Sequence, residues 1–275
     1  MLTLDVWVVT VLGAGVLLLL VSAFSPDFRR RLLAVGEPPS AWAAGSDVIL
    51  TVGFVLLGVG LIEVAAGVVD AGVGRTLGRG LPLRKLVLGT SPTVLAAFVV
   101  SVLARLRGLT PEKAFGLASR HSTRDVVRGA VVCLAVYPLL MAAFAVWQYV
   151  FTSAWGPVAP QEAARTVLAR QWWPEAAASV AIAVLVVPLF EEMVFRGFLL
   201  SAFLRRMGSA GAVVLSAALF GLLHGVDHVF YAVPVFVLGL ILGWLYVRTG
   251  RLWVAVGCHG TFNALALVTA RLLRG

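Results

Sequence analysis

Eight stretches of this chain run for roughly twenty residues each with scarcely a charge, and no other feature limits its possible folds so strongly. They lie at about 5–24, 47–69, 86–104, 128–154, 176–204, 209–224, 229–247 and 252–272. A helix needs about 20 mostly apolar residues to cross the hydrocarbon of a bilayer. Inside lipid every backbone polar group must be satisfied by the chain itself, which leaves only helices and closed barrels. The alternating pattern of barrel strands is missing. The expectation is therefore an all-α, polytopic transmembrane helical bundle of about eight membrane helices. Composition agrees: 60% of the 275 residues are hydrophobic, more than a soluble domain of this size has room to bury. The first run could imitate a signal peptide, but Met1 to Asp5 carries no Lys or Arg and the run outlasts a usual signal core. A retained transmembrane helix is expected there.

Charge sits in the linkers. Arg29-Arg30-Arg31 with Pro38-Pro39 follows the first run, Arg75, Arg79, Arg84 and Lys85 the second, and Arg105, Arg107, Lys113, Arg120, Arg124 and Arg128 the third. The net charge of +9 is thereby explained by Lys and Arg beside anionic headgroups. Membrane lipid is the expected partner, and nucleic acid is not. If all eight runs cross, the first, third, fifth and seventh linkers share a side and hold 13 of the 22 Lys and Arg. The positive-inside rule places that side in the cytoplasm and both termini opposite. Cys133 and Cys258 stand in separate apolar runs and suggest buried core residues, not a disulfide framework.

Between Leu109 and Val127 the chain turns polar. Thr110-Pro111-Glu112 has the form of a helix start, with Thr110 as N-cap and Pro111 in the first helical position. Leu109 is thus the expected boundary between a three-helix N-terminal extension, residues 1–108, and a core, residues 109–275. His121 in this linker reads as a surface residue. Glu63, inside the second run, reads as a structural group, paired with a polar group on a neighbouring helix or set in an interior cavity.

The fifth run breaks the apolar rule. Pro188-Leu189-Phe190-Glu191-Glu192-Met193-Val194-Phe195-Arg196-Gly197 sets two carboxylates and a guanidinium inside hydrocarbon, where each charge costs roughly 2.5–3.5 kcal/mol on insertion scales. Pro188 cannot donate to the carbonyl of Val184, and a kink is expected. Glu192 and Arg196 are spaced i, i+4 and can pair. Glu191 is rotated about 100° from Glu192 and can face elsewhere. Later runs add Phe220-Gly221-Leu222-Leu223-His224, then Gly257-Cys258-His259-Gly260-Thr261-Phe262-Asn263. His259 and Asn263 again share a helix face. At about 1.5 Å per residue, Glu191 lies ~21 Å from Arg205, His224 ~22 Å from Ser209 and Asn263 ~18 Å from Arg251, while His259 at ~12 Å needs tilt to join them.

The order Glu-Glu-x-x-x-Arg, Phe-x-x-x-His, His-x-x-x-Asn resembles the CPBP family of intramembrane endopeptidases, which includes the type II CAAX prenyl endopeptidases and bacterial relatives linked to bacteriocin self-immunity. Ala114-Phe115-Gly116-Leu117 looks like that family's entry to its core, so the resemblance covers roughly Leu109 to Gly275 and leaves the first three helices outside. It implies a membrane hydrolase, a protease acting by intramembrane proteolysis on a membrane protein or lipidated peptide, CAAX-type C-terminal processing being the best-known case. By the resemblance Glu191 is the base that activates a water, His224 helps to hold that water, and His259 and Asn263 stabilise the oxyanion. Glu192 and Arg196 would support the site. Hydrolysis needs just such a proton acceptor and such donors.

The family is described both as a glutamate peptidase and as metalloprotease-like. No cofactor is the first expectation. Zn²⁺ held by Glu191, His224 and His259 is the alternative, since two His and a Glu leave a position for water. His228, i, i+4 from His224, matches nothing in the family pattern, and Gly225 should end the helix before it. A non-catalytic membrane scaffold or carrier is the alternative of another class, but it predicts inverted repeats, and the polar groups here crowd into the last third. The expected address is the plasma membrane of a bacterium.

Overall fold

The structure, a computed structural model, describes residues 10–18, 25, 39–73, 82–117, 121–158, 173–226 and 229–272, with backbone alone for 63–73 and 82–87. His228 and the side chain of Glu63 lie outside what it describes. All regular structure among the described residues is helical. Residues 10–18 form a helical stretch within the first apolar run. The named helices are α1 (Gly45–Val73), α2 (Pro82–Leu106), α3 (Pro111–Phe115), α4 (Ser122–Trp155), α5 (Trp173–Leu204), α6 (Ser209–His224), α7 (Ala232–Thr249) and α8 (Leu252–Leu272). Among the described residues six of these, all but α3 and α6, are long and apolar enough to cross a membrane. The chain is an integral membrane protein. Lipid-facing breadth shows on α1, where Ile49, Leu56 and Leu61 are all exposed.

Local chemistry sets the ends. Asp47 accepts the Ala44 N–H at 2.7 Å, capping α1. Thr110 caps α3, with Pro111 in its first turn, and α3 closes on Gly116 at φ 70°, a left-handed position suited to glycine. Helix α6 stops at His224 with Gly225 as its cap, as its sequence led one to expect. Exposed His121 directly precedes α4.

The first, third, fifth and seventh linkers meet on one face. Leu252 N–H donates to the Gly116 carbonyl at 3.3 Å. Arg251 Nη1 lies 3.0 Å from the buried Asp125 carboxylate, and Arg107 Nη2 lies 2.8 Å from Asp47. Arg206 packs beside Gly45. The described parts of the odd linkers, grouped above on charge alone, therefore share one face, which carries Arg107, Arg206 and Arg251.

Helices α4 and α8 cross with their backbones touching. A Cβ on Gly129 would strike the Val254 carbonyl, and one on Gly257 the Val126 carbonyl. Small residues permit this approach, which is how membrane helices gain contact without a hydrophobic driving force. Cys133 and Cys258, both buried, meet at the same crossing. Gly257→Ala is expected to force the helices apart at a cost of about 1–3 kcal/mol, read as a lower thermal unfolding midpoint in detergent. The N-terminal residues join the same packing. Val11 lies in one apolar cluster with Cys133, Tyr137 and Cys258. Trp42, Ala97 and Val100 lie in another with Phe115, Phe198 and Leu200.

Candidate active site

Helix α5 carries the two carboxylates on a short α-helical segment between two π-helical ones. Residues Ile182–Val186 bond i→i+5, Val187–Glu192 return to α-helix, and Met193–Leu200 are π-helical again. Pro188 is one cause. Its missing N–H leaves the Val184 carbonyl without a helical partner, and the helix answers with a wider turn, not an interruption. Gly260 of α8 comes close enough that a Cβ there would meet the Val184 carbonyl. Asn263, one turn further along α8, donates its Nδ2 hydrogen to the Ala183 carbonyl at 2.9 Å. π-Helical turns inside α-helices recur at functional sites because they re-aim the side chains beyond them.

At the centre stand Glu191 and Glu192, pointing to different neighbours. Glu192 is fully buried, with Oε1 2.9 Å from Arg196 Nη1 and 2.9 Å from His259 Nδ1. Arg196, also fully buried, donates from Nη2 to the Gly239 carbonyl of α7 at 3.2 Å, and its guanidinium carbon sits 4.4 Å from the centre of the Phe220 ring. The aromatic position in Phe-x-x-x-His thus serves as a cation–π platform. Glu191 faces the other way. Its Oε1 is 3.7 Å from His224 Nε2 and its Oε2 is 3.6 Å from His259 Nε2.

The imidazoles are held from behind. His224 Nδ1 lies 2.9 Å from the Phe220 carbonyl, and a carbonyl can only accept, so Nδ1 carries the hydrogen. His259 Nδ1 stands in the same relation to Glu192. Each ring therefore turns Nε2 toward Glu191. Both distances exceed a hydrogen bond. The Glu191 side chain is 11% exposed and that of His224 26%, so the pocket opens on the α6 side and closes behind Glu192.

Three helices thus bring Glu191, Glu192, Arg196, His224 and His259 together. The fold brings His259 beside Glu191, which a straight count along the helix did not reach. Asn263 stands one turn beyond His259 with its amide on the backbone of α5. Two contributors were missed. Ser216 Oγ donates to the Phe195 carbonyl at 2.9 Å; its i, i+4, i+8 alignment with Phe220 and His224 was the available signal. The indole of Trp42 donates to the Gly197 carbonyl at 3.2 Å, and nothing in its linker position signals that. Among the described residues no group of three or more His, Cys, Asp or Glu side chains is arranged to hold a metal ion. The donor types nonetheless suit zinc, and imidazoles whose Nδ1–H is bound to oxygen are the usual form of zinc-binding histidines.

Residues 172–265 match the family described as type II CAAX prenyl endopeptidase Rce1-like. Over 90 residues the chain is 26% identical to "Putative membrane peptidase YdiL" of Bacillus subtilis (strain 168), a stretch that covers 32% of this chain and 36% of that protein. No solved structure matches. Every one of the six clustered and flanking polar residues, from Glu191 to Asn263, falls inside the matched region.

Proposed function

We propose that this chain, whose residues 172–265 match the type II CAAX prenyl endopeptidase Rce1-like family, is an intramembrane endopeptidase that cleaves a peptide bond of a membrane-associated protein or lipidated peptide. One observation carries this reading. A carboxylate is faced by Nε2 of two histidines, 3.7 and 3.6 Å away, inside an apolar helical bundle.

In the mechanism a water sits beside Glu191, within reach of both imidazoles. Glu191 takes a proton from it as the oxygen attacks the scissile carbonyl, and His224 Nε2 orients it. Charge then develops on the carbonyl oxygen. His259 in its protonated form, with Nδ1–H on Glu192, presents Nε2–H to that oxygen. Asn263 has a second amide hydrogen beyond the one given to Ala183 and contributes it there. Glu191 returns its proton to the departing amine, and the bond breaks. Arg196 and Glu192 do no chemistry; they fix His259. Such preorganised donors in a site shielded from water are worth far more than in solution.

The basic face is the cytoplasmic one by the positive-inside rule, and CAAX-type processing of a prenylated C-terminus is the finer form of the reading. Mapping of new protein termini in membranes from cells carrying wild type or Glu191→Gln tests it. Identical maps would remove the peptidase and favour the scaffold or carrier.

Zinc is a second reading, favoured by the Nδ1–H bonds to Phe220 and Glu192. Glu191, His224 and His259 would hold the ion, which when bound supplies Lewis acidity to a water. The metal-free reading expects 1,10-phenanthroline to leave cleavage unchanged. A loss restored by added Zn²⁺ would select the second.

A further inference from the structure

We infer that Trp42, far from the matched region in sequence, is a positioning residue for the Glu192–His259 pair; this rests on the peptidase reading above. Trp42 lies in the segment that leads into α1. It is buried, 7% exposed. Its Nε1–H is shared between the Ala114 carbonyl at 2.8 Å and the Gly197 carbonyl at 3.2 Å. Its ring meets Phe115 edge-on, 5.9 Å between centroids, and Phe198 at 5.6 Å.

The significance lies in what Gly197 adjoins. It follows Arg196 in the π-helical segment Met193–Leu200. A change from i→i+4 to i→i+5 bonding widens the turn, and carbonyls at such irregularities take donors from elsewhere. Three side chains from three other parts of the chain supply them to α5. Asn263 bonds Ala183, Ser216 bonds Phe195 and Trp42 bonds Gly197. Ala183 lies in the first π-helical segment, and Phe195 and Gly197 lie in the second, directly flanking Arg196. Arg196 in turn holds Glu192, and Glu192 holds His259.

Gly197 also has no room for a side chain: a Cβ would lie 2.6 Å from the Phe115 ring. The Trp42–Phe115 pair is therefore seated on bare backbone at this turn. A shift of that backbone moves the guanidinium, and the guanidinium has no slack, being bound to Glu192 and Gly239 and stacked on Phe220. The N-terminal part of the chain thereby enters the catalytic geometry through one indole N–H.

The test uses the full-length protein in detergent and a peptide spanning a cleavage site recovered by the termini mapping. Trp42→Phe keeps a ring and removes the N–H. Expected is an about tenfold fall in kcat with KM unchanged, equivalent to one hydrogen bond's net worth. In an Arg196→Lys background the same substitution should cost no more than about twofold, because residues acting through one another are not additive. Gly197→Ala, which displaces Phe115, should reproduce the kcat loss and serves if Trp42→Phe does not fold. An unchanged kcat, an effect confined to KM, or an equal tenfold loss in both backgrounds would overturn the inference while wild type still outperforms Glu191→Gln. If wild type and Glu191→Gln are indistinguishable, the peptidase reading falls first and this inference with it.

Discussion

Glu191→Gln should lower cleavage by about 10³-fold, within the range of a lost general base, and leave folding untouched. The amide keeps the shape and volume of the carboxylate, so packing around it does not change. It cannot accept a proton from water. Nothing else in the pocket takes over: Glu192 Oε1 is already bound to Arg196 and His259, and it faces away from the two Nε2 atoms. The measurement is turnover of a cleaved peptide by purified protein, with circular dichroism of the same sample as the folding control. A variant within tenfold of wild type would mean that Glu191 is not the base. His224→Ala should fall less steeply, since it removes a water-orienting group and leaves the base.

Arg196→Met is expected to be the most damaging single change to stability. It strips the partner from Glu192, a fully buried carboxylate, and removing one member of a buried pair costs about 3–5 kcal/mol. Much of that cost is the charge left behind. The double variant Glu192→Leu with Arg196→Met should recover most of the lost stability, because a buried ion pair is often no better than apolar residues of similar volume. Imperfect satisfaction of the native pair points the same way: Glu192 Oε2 and Arg196 Nε are buried without a partner. The recovered double variant should remain inactive. Thermal unfolding in detergent gives the first quantity and peptide turnover the second. Stability that returns together with activity would show that the pair has no part in catalysis.

What the sequence made legible divides along physical lines. Burial in lipid imposes a one-dimensional rule, a long apolar run, so the helices from the second run onward were readable to within about two turns; α5, expected over 176–204, spans Trp173–Leu204. Charge in hydrocarbon is costly enough to be conspicuous, and that made Glu191, Glu192 and Arg196 stand out. His224, His259 and Asn263 became informative only as an ordered set. The π-helical turns were not readable. They arise from Pro188 together with donors on α6, α8 and the N-terminal linker, and no local pattern announces them. The bond from Trp42 to Gly197 spans 155 positions between a linker and a helix, where periodicity has nothing to say. The placing of His259 beside Glu191 was likewise a tertiary outcome that no count along α8 gives.

Helix α6 has a consequence for the bilayer itself. At 16 residues it is about 24 Å long, against a hydrocarbon thickness of about 30 Å, and any inclination shortens its reach further. It starts beside Arg205 and Arg206 on the basic face, so His224 ends it short of the opposite headgroups. A segment that short is met by local thinning of the bilayer or by apolar residues beyond its end, such as the exposed Val226 and Val229. His224, its side chain 26% exposed, stands at that end. For the proposed hydrolysis, which consumes water, a helix that ends a turn early shortens the path that water has to travel.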